Sequence, residues 1–194
     1  IGKIMEFKHI SVLKEEPVKE EVQEVCKKVG NGFVVPANYN CEGQIVISGE
    51  ENAVLEAEKI AKEMGAKKVR VLKTSGPFHT EKLTKASELL KKELENISIN
   101  KFNTKVIKNL DGTVYTELDN IKEILVKHII NPVMFSKTLK NMLDDGIDTF
   151  IEIGPGKTLS GFVKRMKTEK NIKILNVNNV ETLEQVLKYI KEGE

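Results

Sequence analysis

The order of elements in the first seventy residues constrains this chain more than any other feature. "GKIMEFKHI" reads as a strand, and "PVKEEVQEVCKKVG" sets Val18, Val22, Val25, Cys26 and Val29 at helical spacing, with Pro17 suited to a first turn and Gly30 to a C-terminal cap. Two short β-rich runs follow, "GFVVPANYN" and "GQIVISG", joined by a polar turn through Cys41, Glu42 and Gly43. "NAVLEAEKIAKEMG" then predicts a helix with Val54, Ala57, Ile60, Ala61 and Met64 on one face and Gly65 at its end, and "KKVRVL" predicts a strand. Strand, helix, strand, strand, helix, strand is the split β-α-β order of a ferredoxin-like unit, one antiparallel sheet covered by two helices.

Near residue 74 the rhythm changes. The pattern predicts a helix over 81–95, a strand over 104–108, helices over 120–130 and 134–144, a strand over 149–153, a helix over 157–166, a strand over 172–177 and a helix over 181–191. Alternating strands and helices imply a parallel sheet with helices on its faces. Three strands are few for such a sheet, and "DTFIEIG" and "IKILNV" look like interior strands that want neighbours. The first residue is Ile1 rather than methionine, so the expectation is of a fragment, with the remaining strands preceding Ile1.

Composition excludes several classes of partner. The 31 basic and 29 acidic groups leave a net charge of +2, spread along the chain without a basic face for nucleic acid or anionic membrane. Aromatic residues make up 5% and tryptophan is absent, which argues against base-stacking platforms. Cys26 and Cys41 lack C-x-x-C spacing, so neither a metal site nor a disulfide framework is implied, and a reducing cytoplasm is the simplest home. No apolar run approaches the roughly 18 residues of a membrane span. No cofactor or metal is expected.

Two short stretches carry chemistry. In "TSGPFHTEKL", His79 follows a strand and a Gly-Pro turn and precedes a helix, which sets it at the C-terminal end of a strand, where ligands bind in open parallel sheets. Histidine is the natural base for activating a hydroxyl or thiol, although a loop histidine after Gly-Pro needs no function, and spacing alone does not name its partner. In "FIEIGPGKTLSGFVKRM", Gly154, Pro155 and Gly156 join a strand to a helix, either as a phosphate-cradling helix N-terminus or as a tight turn. Lys157 and Thr158 imitate the ending of a P-loop, but the spacing is wrong, which excludes an NTPase on that ground.

Four ordered segments, "GFVVPANYNCEGQIVISG", "TSGPFHT", "INPVMF" and "IEIGPGKTLSGFVKR", closely resemble the malonyl-CoA:acyl carrier protein transacylases of fatty acid synthesis and the acyltransferase domains of polyketide synthases. The resemblance covers essentially the whole chain but only the later part of the family's length. It implies an α/β fold: a ferredoxin-like small subdomain, here residues 1–73, and the C-terminal part of an α/β-hydrolase-like parallel-sheet domain, here residues 74–194. It also implies a serine acyl-enzyme, in which a serine attacks malonyl-CoA, a histidine matching His79 acts as base, and the phosphopantetheine thiol of an acyl carrier protein collects the malonyl group. The family's serine lies in a G-x-S-x-G elbow upstream, and no such motif occurs here. The missing N-terminal half is therefore an expected partner, with malonyl-CoA and acyl carrier protein.

The same resemblance nominates further residues. Phe78 stands where a phenylalanine accompanies malonyl selection, unless it is a plain anchor for the loop. Many members carry a glutamine three residues before the "NPV" segment, whose main-chain carbonyl orients the catalytic imidazole; here that position is His128, expected to accept from Nδ1 of His79, or else to be a helix-terminal residue interacting with the dipole. Asn38 and Asn40 stand where the family lines its cleft, or form a turn that bonds its own backbone. His9 is assigned to the surface and Cys41 to the hairpin turn. The rival readings are an inactive docking module for a carrier protein and an acyltransferase for another acyl-CoA.

Overall fold

The computed structural model describes residues 7–13, 19–72, 74 and 76–193. The chain divides into two compact units, Ile1–Thr138 and Leu139–Glu194.

The first unit begins with β1 (Phe7–Leu13), α1 (Lys19–Lys28), β2 (Val34–Cys41), β3 (Gln44–Glu50), α2 (Glu51–Glu63) and β4 (Lys68–Leu72). The four strands form one antiparallel sheet in the order β2-β3-β1-β4, as the element order requires. Within the described residues β1 begins at Phe7 and runs on through "SVL"; the earlier part of that predicted strand, like Pro17, lies outside the described residues. Side chains alternate across β2, so that Ala37, Tyr39 and Cys41 are buried while Asn38 and Asn40 are half-buried. Ile45 and Ile47 of β3 meet Val22 and Val25 of α1 and Val54, Ala57 and Ala61 of α2 in the core. Small alanines at Ala53, Ala57 and Ala61, all buried, line the packed side of α2.

One glycine there is fixed by lack of space. Gly49 of β3 pairs with Val34 of β2, and a Cβ on it would stand 2.1 Å from the Phe33 carbonyl oxygen. The clash is with backbone, so it is not relieved by turning a side chain.

After β4 the first unit continues through a 3-10 turn (Glu81–Leu83), α3 (Thr84–Glu95) and α4 (Ile121–Ile130). The predicted strand over 104–108 does not form. Only an isolated bridge joins Ile107 to Val114, closed by hydrogen bonds from Lys108 N to the Thr113 carbonyl and from Tyr115 N to the Val106 carbonyl. The reason is local: the Asp111-Gly112 turn folds the apolar pair Val106 and Ile107 back on the next few residues, with the Asp111 carboxylate accepting from Thr113 N and Oγ1. Lys108 is buried, and its ammonium reaches Asp119 at 3.1 Å and Asp111 at 3.6 Å. Burial pulls its pKa down, but the two carboxylates win and hold it above the ordinary lysine value.

α5 (Phe135–Asp144) leads into the second unit, which contains β5 (Thr149–Ile153), α6 (Thr158–Val163), β6 (Lys173–Val177) and α7 (Val180–Glu192). β5 and β6 pair in parallel as a single β-α-β crossover, so among the described residues the parallel sheet has two strands instead of the expected three. Ile153 of β5 is 80% exposed, an unusual state for the end of a parallel strand. α7 opens on a capping box, in which Asn179 Oδ1 accepts from Thr182 N and Thr182 Oγ1 accepts from Asn179 N.

Gly49→Ala is expected to destabilise the protein by about 1–3 kcal/mol. Thermal or denaturant unfolding of the variant checks this, and an unchanged midpoint would mean that β2 and β3 move apart at no cost.

Candidate active site

The geometry around His79 begins with a backbone conformation. His79 has φ 58°, the one non-glycine residue in the left-handed region among the described residues. Such a residue costs on the order of 1–3 kcal/mol and persists only when its surroundings over-determine it. Those surroundings are visible. Thr80, next in the chain, is only 1% exposed, its hydroxyl donates to the Pro77 carbonyl at 2.7 Å, and its own carbonyl accepts from Leu83 N at 3.0 Å. Thr80 closes the "TSGPFHT" segment without a role of its own there; a buried threonine bonded three residues back is a turn lock that spacing alone does not reveal.

The ring of His79 is half-buried, and its Nδ1 lies 3.1 Å from the main-chain carbonyl oxygen of His128. A carbonyl only accepts, so this contact assigns the proton to Nδ1 and leaves Nε2 with a free lone pair. The carbonyl is available because His128 sits in the last turn of α4, where backbone oxygens lack intrahelical partners. The neighbouring Lys127 carbonyl accepts from the Asn131 side chain at 2.7 Å. Pro132 then stops the helix, with Asn131 extended as residues before proline are. The helix-end reading of His128 and the contact with His79 thus describe the same place.

The chain beyond α4 is held on both sides. Val133 lies along the open edge of β2: Tyr39 N donates to its carbonyl at 2.8 Å, and its N–H donates to the Ala37 carbonyl at 2.9 Å, flanking Asn38. Met134 N donates to the Asn109 carbonyl at 2.8 Å, and the Met134 side chain packs on the core of the sheet. Asn109 follows Lys108, so the buried lysine and its two aspartates anchor the loop that receives Met134. Proline at position 36 is tolerated because β2 is an edge strand, and the single-residue addition of Val133 covers part of that edge.

The other nominated residues fall around this frame. Asn38 is brought beside the segment that follows His128, whereas Asn40 sits at a β-bulge between the Tyr39–Ile45 and Cys41–Gln44 pairs. Phe78 is 46% exposed, with its ring over Gly76. His9 lies in β1 opposite Ser48, and the exposure of its side chain is outside the described residues. Neither cysteine resembles a nucleophile: neither is in a disulfide, Cys41 is buried at the end of β2, and burial pushes the Cys26 thiol up to about 12. Among the described residues no cluster of three or more His, Cys, Asp or Glu side chains could hold a metal ion, and no helix is long and apolar enough to cross a membrane.

The Gly154–Gly156 segment is a turn and not an anion cradle. The carboxylate of Glu152 on β5 accepts from Ser160 Oγ at 2.5 Å, Ser160 N at 2.8 Å and Leu159 N at 3.1 Å, so it occupies the start of α6 itself. The Ser160 hydroxyl first, and then these amides, hold the Glu152 carboxyl below its ordinary range. The Asn176 side chain donates to the carbonyls of Glu152 and Gly156 at 3.2 and 3.0 Å, which ties the turn to β6.

Comparison with known proteins supplies the class: residues 7–194 match the acyl transferase domain, and the chain belongs to that family. The relatives named here are transferases. It is 43% identical to the malonyl CoA-acyl carrier protein transacylase of Bacillus subtilis (strain 168) over 176 residues, which is 89% of this chain and 55% of that protein. It is 36% identical to the same enzyme of Staphylococcus aureus (strain COL), over 86% of this chain and 53% of the other. The crystal structure of the transacylase from Clostridium perfringens superposes with a TM-score of 0.89 at 42% identity, covering 99% of this chain and 59% of that one. A malonyl-transacylase solved in complex with its type II PKS acyl-carrier protein superposes with a TM-score of 0.87 at 28% identity, over 97% and 60%. The chain therefore spans little more than half the length of the curated relatives it matches.

Because the Glu152 carboxyl is held low in the folded state, its contribution to stability is complete above its ordinary value near 4.5 and is lost as pH falls through the folded value. Glu152→Gln is expected to lower the unfolding midpoint at neutral pH and to flatten the acid side of the stability profile. Thermal melts across pH 3–7 check this, and parallel wild-type and variant profiles would contradict it.

Proposed function

We propose that this chain supplies the general base and part of the acyl pocket of a malonyl-CoA:acyl carrier protein transacylase. The observation that carries the reading is the Nδ1 contact of His79 with the His128 carbonyl, which turns Nε2 into a free acceptor on a half-buried ring. A serine hydroxyl is a poor nucleophile until a base removes its proton, and a histidine in this tautomer does so near neutral pH. No G-x-S-x-G occurs in the chain, so the serine belongs to polypeptide outside it.

In this reading the serine oxygen attacks the thioester carbonyl of malonyl-CoA while its proton passes to Nε2 of His79. The tetrahedral intermediate collapses, the carbon–sulfur bond breaks, and CoA leaves as a thiol with the proton returned from the imidazolium. The phosphopantetheine thiol of the carrier protein then gives its proton to His79 and attacks the malonyl-serine, and the serine oxygen leaves and recovers that proton. The His128 carbonyl faces the positive ring formed at each stage and holds its orientation. Phe78, immediately before the base, narrows the space beside the α-carbon of the acyl group, and Asn38 and Asn40 contribute polar groups to the arm of the thioester. The residue boundary between the small subdomain and the large domain lies after residue 73, and the site of action is the cytoplasm.

The test uses the natural protein that carries this sequence and radiolabelled malonyl-CoA. Label is expected to remain on the protein and to move to acyl carrier protein, and His79→Ala is expected to lower the rate roughly a hundred- to ten-thousandfold. Undiminished labelling in His79→Ala would overturn the assignment of the base. Phe78→Ser is expected to shift the ratio of kcat/KM from malonyl- toward methylmalonyl-CoA by about 10- to 200-fold, the range one methyl group commands in a pocket.

A further inference from the structure

We propose that the side chain of His128, and not only its carbonyl, is a positioning group for the base: a neutral imidazole laid against His79 that fixes the plane of the catalytic ring. The inference rests on the acyl-transfer reading above. The two rings lie with centroids 4.9 Å apart and planes inclined by 35°. A ring held at one atom swings about that hydrogen bond, and Nε2 swings with it. A second flat ring against its face removes that freedom, so the carbonyl and the imidazole of one residue fix position and plane together.

The surroundings of His128 keep its ring neutral. Its Nε2 is buried and has no hydrogen-bond partner among the described residues. A protonated imidazole carries N–H donors on both nitrogens, so protonation would bury an unsatisfied charged donor. Burial first, and then the charge of His79, push its pKa below the ordinary histidine value. Several of the charged groups on the elements around it are engaged elsewhere. Glu123 pairs with Lys127 at 2.6 Å and feels Lys91 of α3, Lys122 donates to the Glu95 carbonyl, and Lys82 lies over the Phe33 ring. Glu81 of the 3-10 turn is exposed. The influence of a neighbouring charge on His128 comes from His79 when that ring is protonated. When His79 takes the proton of its nucleophile, it does so beside a ring that carries no charge of its own.

Proton NMR of the ring protons in the natural protein tests the pairing directly. His128 is expected to titrate below 6.5, the ordinary histidine value, and its midpoint is expected to rise in His79→Ala, where the neighbouring charge is gone. An unchanged midpoint would overturn the proposal. For turnover, His128→Ala is expected to lower kcat about tenfold with KM within twofold, and His128→Phe, flat but without a titrating nitrogen, to recover most of that loss. Wild-type kcat in His128→Ala, or no recovery in a His128→Phe variant that melts like wild type, would also overturn it. If the natural protein transfers no malonyl group at all, the acyl-transfer reading fails, and the NMR midpoints alone decide whether the rings act on each other.

Discussion

Two backbone hydrogen bonds between Val133 and the edge of β2 set the geometry on which the candidate site depends. They stop the chain after α4 from drifting, and with it the helix end that offers the His128 carbonyl to His79. Main-chain pairing suits the task, because it fixes a segment along its length and is indifferent to which side chains the segment carries. The bond from Met134 to the Asn109 carbonyl adds a second fixed point, and the Lys108 ion pairs with Asp119 and Asp111 stabilise the loop that provides it. A network with a buried ammonium and two carboxylates does little for stability relative to an apolar core, but removing either carboxylate would leave the buried charge of Lys108 less compensated.

The left-handed backbone of His79 makes sense within that frame. A conformation that costs on the order of 1 kcal/mol or more is held by a buried threonine hydroxyl on one side and a ring-to-carbonyl bond on the other. The strain lies at the residue whose direction matters, and the restraints on it come from neighbours with no chemical task. Glycine would adopt the same φ freely but would bring no imidazole.

Much of the fold could be read from the chain because its patterns are local. β5 was expected over 149–153 and forms Thr149–Ile153, since an apolar run closed by Asp148 and Gly154 has only one sensible span. The helical stripe through Val54, Ala57 and Ala61 likewise names the face of α2 that packs. What periodicity could not supply was the competition between partners. "TKVIK" has the composition of a short strand, yet the Asp111-Gly112 turn gives it a nearer partner, and a lysine destined for burial looks like any other lysine. The approach of His79 to His128 spans 49 residues and was anticipated from family resemblance, not from spacing. The pairing of Val133 beside Asn38 and the locking role of Thr80 had no signal at all, because single bridges and single hydroxyl bonds leave no period in a sequence.

Glu152 gives the Gly-Pro-Gly turn a character opposite to the one its glycines suggest. A strand running into such a turn and a short helix is a familiar seat for phosphate, but here a side chain of the strand has already taken the amides. The polypeptide carries its own resident anion at that point. A phosphorylated molecule approaching this turn meets a like charge where the glycines would suggest open amides.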